Sequence, residues 1–143
     1  MSFPPKEKPE MDLESLKGKK VLLVEDNELN MEIARFMLEK YGLLIREACN
    51  GKEAVEAFAS SEVGEIDLIF MDVMMPVMNG LEATRQIRAL ERADAKTVPI
   101  FAMTANAFKD DIRASVQAGM NEHLTKPLDE KRIVRTMRKY VSR

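Results

Sequence analysis

The sequence predicts an α/β fold, a single parallel sheet of five short strands with helices on both faces. Two observations carry that expectation. Short apolar runs alternate with segments of helical apolar spacing along nearly the whole chain. The runs are continuous rather than alternating, which marks strands buried on both faces and joined by right-handed helical crossovers. A third observation concerns chemistry. Several runs end on polar residues that burial does not explain: Glu25-Asp26, Asp72, Thr104 and Lys126.

From Met1 to about Ser15, prolines 4, 5 and 9 sit among alternating charges and little can be buried, so this stretch reads as a tail. Leu13 and Leu16 form a short turn against the domain, and Gly18 closes the segment. Val21-Leu22-Leu23-Val24 is the first strand, and Asp26 or Asn27 can cap the helix that follows. That helix carries Leu29, Ile33, Phe36, Met37 and Tyr41 at helical spacing and stops near Gly42. Leu43-Leu44-Ile45 is a short second strand, Asn50-Gly51 a turn, and Ala54, Val55, Ala57 and Phe58 mark a helix reaching about Ser61. The third strand, 66–72, ends on Asp72, and Pro76 and Asn79-Gly80 turn the chain at once. A helix from Leu81 to about Arg92 follows, with Leu81, Thr84, Ile87 and Leu90, or Ala83 and Ile87, on one face. The fourth strand, 98–103, ends on Thr104, and a helix over 107–118 stops at Gly119. Residues 122–125 form the short fifth strand. The last helix runs from about Asp129 to Tyr140, with Ile133, Val134, Met137, Tyr140 and Val141 facing inward.

Composition sets outer limits. Hydrophobic residues make up 45% and charged residues 32%, the balance of a globular domain and not of a disordered chain. A net charge of -2 gives no electrostatic case for nucleic acid. No apolar run is long enough to span a bilayer and the N-terminus has no signal-peptide core, so a soluble cytoplasmic protein without membrane contact is expected. The single cysteine, Cys49, cannot pair within the chain and fits no metal spacing, in keeping with a reducing compartment.

In a parallel sheet the C-terminal strand ends share one edge. With the flavodoxin-like order 2-1-3-4-5, the first and third strands are neighbours, which places Glu25, Asp26 and Asp72 together. Clustered carboxylates repel one another, and a hard divalent cation such as magnesium relieves the repulsion through oxygen ligands. Lys126, with Pro127 restricting its peptide, supplies a fixed cation, and Thr104 a hydroxyl donor. Together they suit an anion, and the obvious one is a phosphoryl group on Asp72. A carboxylate is a competent nucleophile, and phosphoryl transfer needs mostly positioning and charge neutralisation.

VLLVEDN at 21–27, DVMMPVMNG at 72–80, MTANA at 103–107 and TKP at 125–127 resemble, in order, the strand-end motifs of receiver domains of two-component response regulators, the CheY-like family. The resemblance covers roughly Lys19 to Tyr140 and looks most like receivers fused to hybrid histidine kinases. It implies a flavodoxin-like (βα)5 sandwich, with 1–18 as tail or linker and 19–143 as the receiver domain. It implies that Asp72 accepts a phosphoryl group from phosphohistidine. Magnesium, for which manganese can substitute, would be held by Asp26, Asp72 and the backbone carbonyl of Met74, with Glu25 acting through water. Thr104 and the Ala105 backbone N–H would hold phosphoryl oxygens, and Lys126 would pair with the group. The implied partners are a histidine kinase or a histidine phosphotransfer domain. Homodimerisation through the fourth helix, fifth strand and fifth helix is a further expectation. Phosphorylation is expected to shift an equilibrium on that same face. Two residues depart from the family pattern. Glu25 stands where many relatives have Asp, and His123 stands where many carry the Tyr or Phe that swings as the switch.

Other readings are open to these residues. A phosphorylation-independent interaction module would keep the fold, but the intact acid set and Lys126 argue against it. A hydrolase would need an acid two residues after its nucleophile, and Met74 cannot transfer a proton. Met74, Met75 and Met78 read as packing, and the basic run Lys131, Arg132, Arg135, Arg138 and Lys139 as a solvated face or a dock for an acidic partner. Gly51-Lys52 lacks the upstream spacing of a phosphate loop.

Overall fold

The structure, a computed structural model, describes residues 15–105 and 109–141, leaving aside the side chains of 109–111. Residues 1–14, read from sequence as a tail and including Leu13, and the expected helix start at Ala107 lie outside the described residues. The chain runs β1 (Lys20–Val24), α1 (Glu28–Glu39), β2 (Leu44–Ala48), α2 (Gly51–Ser60), β3 (Leu68–Asp72), α3 (Gly80–Ala89), β4 (Ile100–Thr104), α4 (Lys109–Ala118), β5 (Glu122–Thr125) and α5 (Glu130–Val141). The strands pair in parallel in the order β2-β1-β3-β4-β5, as the crossover argument requires.

Period-two alternation splits the strand side chains between two apolar layers. Leu22, Val24, Ile69, Met71, Ile100 and Ala102 face α2 and α3, where Phe58, Ala83 and Ile87 are buried. Val21, Leu23, Leu68, Phe70, Phe101, Met103 and Leu124 face α1 and α5, where Met31, Ala34, Leu38, Ile133 and Met137 are buried. Phe70 and Phe101 meet edge-on with ring centroids 5.2 Å apart. Leu16 is buried in this second layer, and the Gly18 amide donates to the Gly42 carbonyl at 2.8 Å.

Helix ends and faces show where side-chain spacing misleads. Much of the expected stripe on α1 points outward, with Leu29, Ile33 and Phe36 63%, 43% and 68% exposed, while its other members, Met37 and Tyr41, pack half-buried against the second layer. A second stripe, Met31, Ala34 and Leu38, does the packing. The third helix stops at Ala89 and not near Arg92, and a 3-10 turn at Ala93–Lys96 leads to β4. Arg88 accounts for the stop. Its guanidinium donates to the carbonyls of Gly119 and Ala95 and to Asn121 Oδ1, pinning the end of α3 to the α4–β5 corner. Strand β2 runs on through Arg46 and Glu47, charged residues that an edge strand tolerates. On α5, Val134 is only half-buried, while Thr136 joins Ile133 and Met137 inside.

Candidate functional site

Register delivers the acids to one place. Val24 pairs with Met71, so the next residues, Glu25 and Asp72, stand side by side at the sheet edge. Met103 pairs with Asp72 and Thr125 with Thr104, so Thr104 and Lys126 arrive at the same edge. Alternation then sorts them. Glu25, Asp72 and Lys126 share the parity of Leu23, Phe70 and Leu124, the side of α1 and α5. Thr104 and His123 have the opposite parity, the side of α3. Among the predicted residues His123 alone stands back from the edge: it pairs with Ala102, two positions before the Thr104–Thr125 pair.

Asn27 caps α1, its Oδ1 accepting from the Asn30 amide at 2.9 Å. Asp26 is thereby left exposed at the mouth, while Glu25 and Asp72 are buried. One ligand oxygen from each of these three carboxylates lies within 4.8 Å of the others. Lys126 Nζ stands 2.9 Å from Glu25 Oε1 and 3.3 Å from Asp72 Oδ2, bridging the two buried acids. The Lys126–Pro127 peptide is cis. Met74 is exposed on the loop that leaves β3, and Ala105 is exposed at the end of β4.

Burial, then the Glu25 charge, pushes the Asp72 carboxyl from 3.8 up to about 7, against the opposing pull of Lys126. Burial pulls the Lys126 ammonium down, but its bond to Glu25 and the charges of Asp72 and Glu25 outweigh that and hold its pKa above the ordinary value. A carboxyl that binds its proton more tightly in the fold than in the unfolded chain lends most stability at low pH. With a chelator present, the melting temperature therefore falls as pH rises from about 4 to about 7 and then levels. Thermal melts across that range check this, and a melting temperature that rises over the same window refutes it.

The donor set tests the cation expectation. It offers carboxylate oxygens only, without imidazole or sulfur, which fits magnesium better than a softer metal. The site can therefore concentrate positive charge around the Asp72 carboxylate, with the Lys126 ammonium beside it.

The loop after Asp72 is braced by two helix starts that apolar spacing alone does not reveal. Gly80 and Gly51 are first residues of helices and not mere turn residues, capped by Asn79 and Asn50, whose Oδ1 atoms accept from Glu82 and Glu53 amides at 2.9 Å. The Gly80 amide donates to the Val73 carbonyl, and the Gly51 amide to the Met78 carbonyl, each at 2.9 Å, so both helix starts brace the loop after Asp72. The Asn-Gly-x-Glu spacing at both places is the signal that marks a capped helix start.

Comparison with known proteins gives consistent findings. Residues 21–138 match the profile of the response regulator receiver domain. "Probable histidine kinase 2" of Oryza sativa subsp. indica is 40% identical over 130 residues, covering 83% of this chain and 12% of that protein. "Hybrid signal transduction histidine kinase I" of Dictyostelium discoideum is 39% identical over 114 residues, covering 78% of this chain and 7% of that protein. The chain thus spans a small part of these relatives. Among solved structures, the receiver domain of a sensor histidine kinase from Pseudomonas aeruginosa PAO1, with a magnesium ion coordinated in the active site cleft, superposes with a TM-score of 0.79 at 36% identity, covering 88% of this chain and 99% of that one. The Saccharomyces cerevisiae co-crystal structure of the histidine phosphotransfer protein Ypd1 and the Ssk1 receiver domain matches with a TM-score of 0.77 at 32% identity, covering 89% of this chain and 91% of that one. No helix among the described residues is long and apolar enough to cross a membrane.

Proposed function

The chain belongs to the response regulator receiver domain family, and from that premise we propose that Asp72 takes a phosphoryl group from a protein phosphohistidine in a magnesium-dependent step of a phosphorelay. The observation that carries this reading is the placement of the Asp72 carboxylate at the end of β3, beside two further carboxylates and 3.3 Å from the Lys126 ammonium.

In the reaction, an Asp72 oxygen attacks phosphorus, the phosphorus–nitrogen bond of the donor breaks, and the imidazole nitrogen keeps the electron pair and takes a proton from solvent. A magnesium ion held by Asp26, Asp72 and the Met74 carbonyl, with Glu25 acting through water, would neutralise the crowded acids and the charge on the transferring oxygens. Lys126 is tethered by Glu25, so its ammonium is already in position when the phosphoryl group arrives. Thr104 and the Ala105 amide approach from the other side as donors to phosphoryl oxygens. Manganese shares the oxygen preference and would support the same transfer.

The outward stripe Leu29, Ile33 and Phe36 supports a protein donor rather than a small molecule alone. Ile33 lines a small cleft together with Glu25 and Lys126, so this apolar ridge begins at the mouth itself.

The test incubates the chain with a phosphorylated histidine phosphotransfer domain. With millimolar magnesium, hydroxylamine-labile label is expected on the chain within minutes. Excess EDTA is expected to cut the rate by about tenfold or more. Absence of label from every histidine donor tried, in the presence of magnesium, would sink the reading.

A further inference from the structure

The basic residues of α5 do not all face the same neighbours. Arg132 donates to the His123 carbonyl at 3.0 Å and Lys139 pairs with Glu122 at 3.3 Å, so these two turn toward β5. Lys131, Val134, Arg135 and Arg138 recur at the three- and four-residue steps of one helix face. That face lines an open cleft of about 920 Å³, which Tyr41, just past the end of α1, lines as well. The acids of the cleft are already engaged. Glu130 accepts from the Tyr41 hydroxyl and from Lys40 Nζ, the latter at 3.0 Å, and Asp129 Oδ1 accepts from the Lys131 amide at 3.1 Å. Lys131 and Arg135 enter no ion pair among the described residues. The cleft is thus a basic groove with an apolar patch, Val134 and the Tyr41 ring, inside it.

The chain itself brings an acidic stretch to this groove. Leu16 is fully buried in the layer shared with α1 and α5. Lys17 lies against Gly42, where a Cβ would stand 2.8 Å from Lys17 Cγ. The chain therefore passes the Tyr41-Gly42 corner on its way into β1, and the residues before Ser15 start beside a residue that lines the groove. Those residues are Glu10-Met11-Asp12-Leu13-Glu14, three acids alternating with two apolar residues. Five extended residues reach about 17 Å. Lys131 to Arg138 covers only about 10 Å along α5, so the stretch is long enough to follow all three cations. Alternation gives an extended segment one acidic and one apolar side, matching the cations of α5 on one wall and Tyr41 on the other. A segment tethered this close is present at an effective concentration on the order of millimolar, which favours it over a free acidic partner.

We propose that residues 10–14 lie as a strap in this groove, with Glu10, Asp12 and Glu14 on the α5 cations and Met11 and Leu13 on Tyr41 and Val134. The strap ties the polypeptide that enters the domain to its last helix. It closes this face of α5 to other acidic segments, so the face is open to a partner only when the strap lifts. No residue of the phosphotransfer site takes part, and the proposal is independent of that reading.

The experiment uses the whole chain, isotopically labelled, and reads nuclear Overhauser contacts from the Met11 and Leu13 methyl groups to the Tyr41 ring and the Val134 methyls. The contacts are expected in the wild type. They are expected to be lost in Lys131→Glu/Arg135→Glu and regained when Glu10→Lys/Asp12→Lys is added to it. Polyglutamate is the second probe. It is expected to shift the Val134 and Arg135 amide signals of Glu10→Gln/Asp12→Asn at least about threefold more than those of the wild type, because the strap no longer competes. Absence of the contacts in the folded wild type overturns the proposal. Contacts that survive the charge reversal overturn the part given to the α5 cations, and the proposal with it. Contacts found only between differently labelled chains overturn it in favour of a second copy as the occupant. Equal polyglutamate shifts in wild type and Glu10→Gln/Asp12→Asn overturn it in favour of a free acidic partner. The wild-type contacts and the polyglutamate comparison leave α5 unchanged, so they decide the matter even where the charge-reversed helix fails to fold.

Discussion

Asp72→Asn is expected to reduce phosphoryl labelling by about a thousandfold or more, to background, with the fold retained. The substitution keeps the size and planarity of the side chain and removes the nucleophilic oxygen anion. The other two acids cannot stand in. Glu25 is drawn to Lys126 at 2.9 Å, and it begins where β1 ends, beside Asp72 and not in its place. Asp26 is exposed, whereas the Lys126 ion pairs go to the buried Glu25 and Asp72. The amide also suits its surroundings, since it can donate to Glu25 and accept from Lys126. It removes a buried charge that its neighbour Glu25 disfavours, so the metal-free variant loses the pH dependence of stability described above. Labelling by a phosphohistidine donor, followed on a phosphate-affinity gel with circular dichroism as the control for folding, checks both halves. Label of wild-type intensity on the variant would remove Asp72 from the reaction.

Gly80→Ala is expected to destabilise the domain by about 2–3 kcal/mol, lowering the melting temperature by about 10 °C. A Cβ at this position would stand 2.2 Å from the Asp72 carbonyl oxygen, 2.9 Å from Met71 Cγ and 3.0 Å from the Asp72 carbonyl carbon. Two of those atoms belong to the backbone of Asp72 itself, so no flexible tip can swing away. Alanine gains up to about 1 kcal/mol over glycine in a helix, less at a first position, and the clash outweighs it. Relief requires α3 to lift from β3 or the end of β3 to shift, and either moves Asp72 relative to Lys126. Transfer should therefore slow along with the loss of stability. Chemical denaturation and transfer rates measured on the same preparation test this, and a variant more stable than wild type would show that the helix start is free to move.

The strands and the acid cluster were legible because each apolar run stops on a residue that has no reason to be buried. Parallel pairing then aligns those stops on one edge, so Asp72 can be placed beside Glu25 without coordinates. Helix faces were less legible. Helix α1 carries two apolar stripes, and spacing alone cannot say which one the sheet takes. The small Ala34 lets α1 lie close to the sheet between Met31 and Leu38, and the bulkier stripe with Phe36 is left outside. The apolar run that marks β2 ends at Ile45, yet the strand runs on to Ala48, because an edge strand can turn Arg46 and Glu47 to water. The twin Asn-Gly pairs carry turn and cap signals at once, and only the neighbouring backbone decides between them. The positive φ of Val77 had no signal at all, since valine is among the last residues expected there.

The opposite parities of Asp72 and Thr104 make the sheet a partition between two compartments of the domain. Met71, Ala102 and Met103 are fully buried within that partition. Asp72 and Thr104 both stand at the rim where the strands end, one on each side. His123 lies on the far side of that wall, two residues in from the rim. If Asp72 is phosphorylated as proposed, a change there is expected to reach the α3 side around that rim, by way of Thr104, and not through the buried layer.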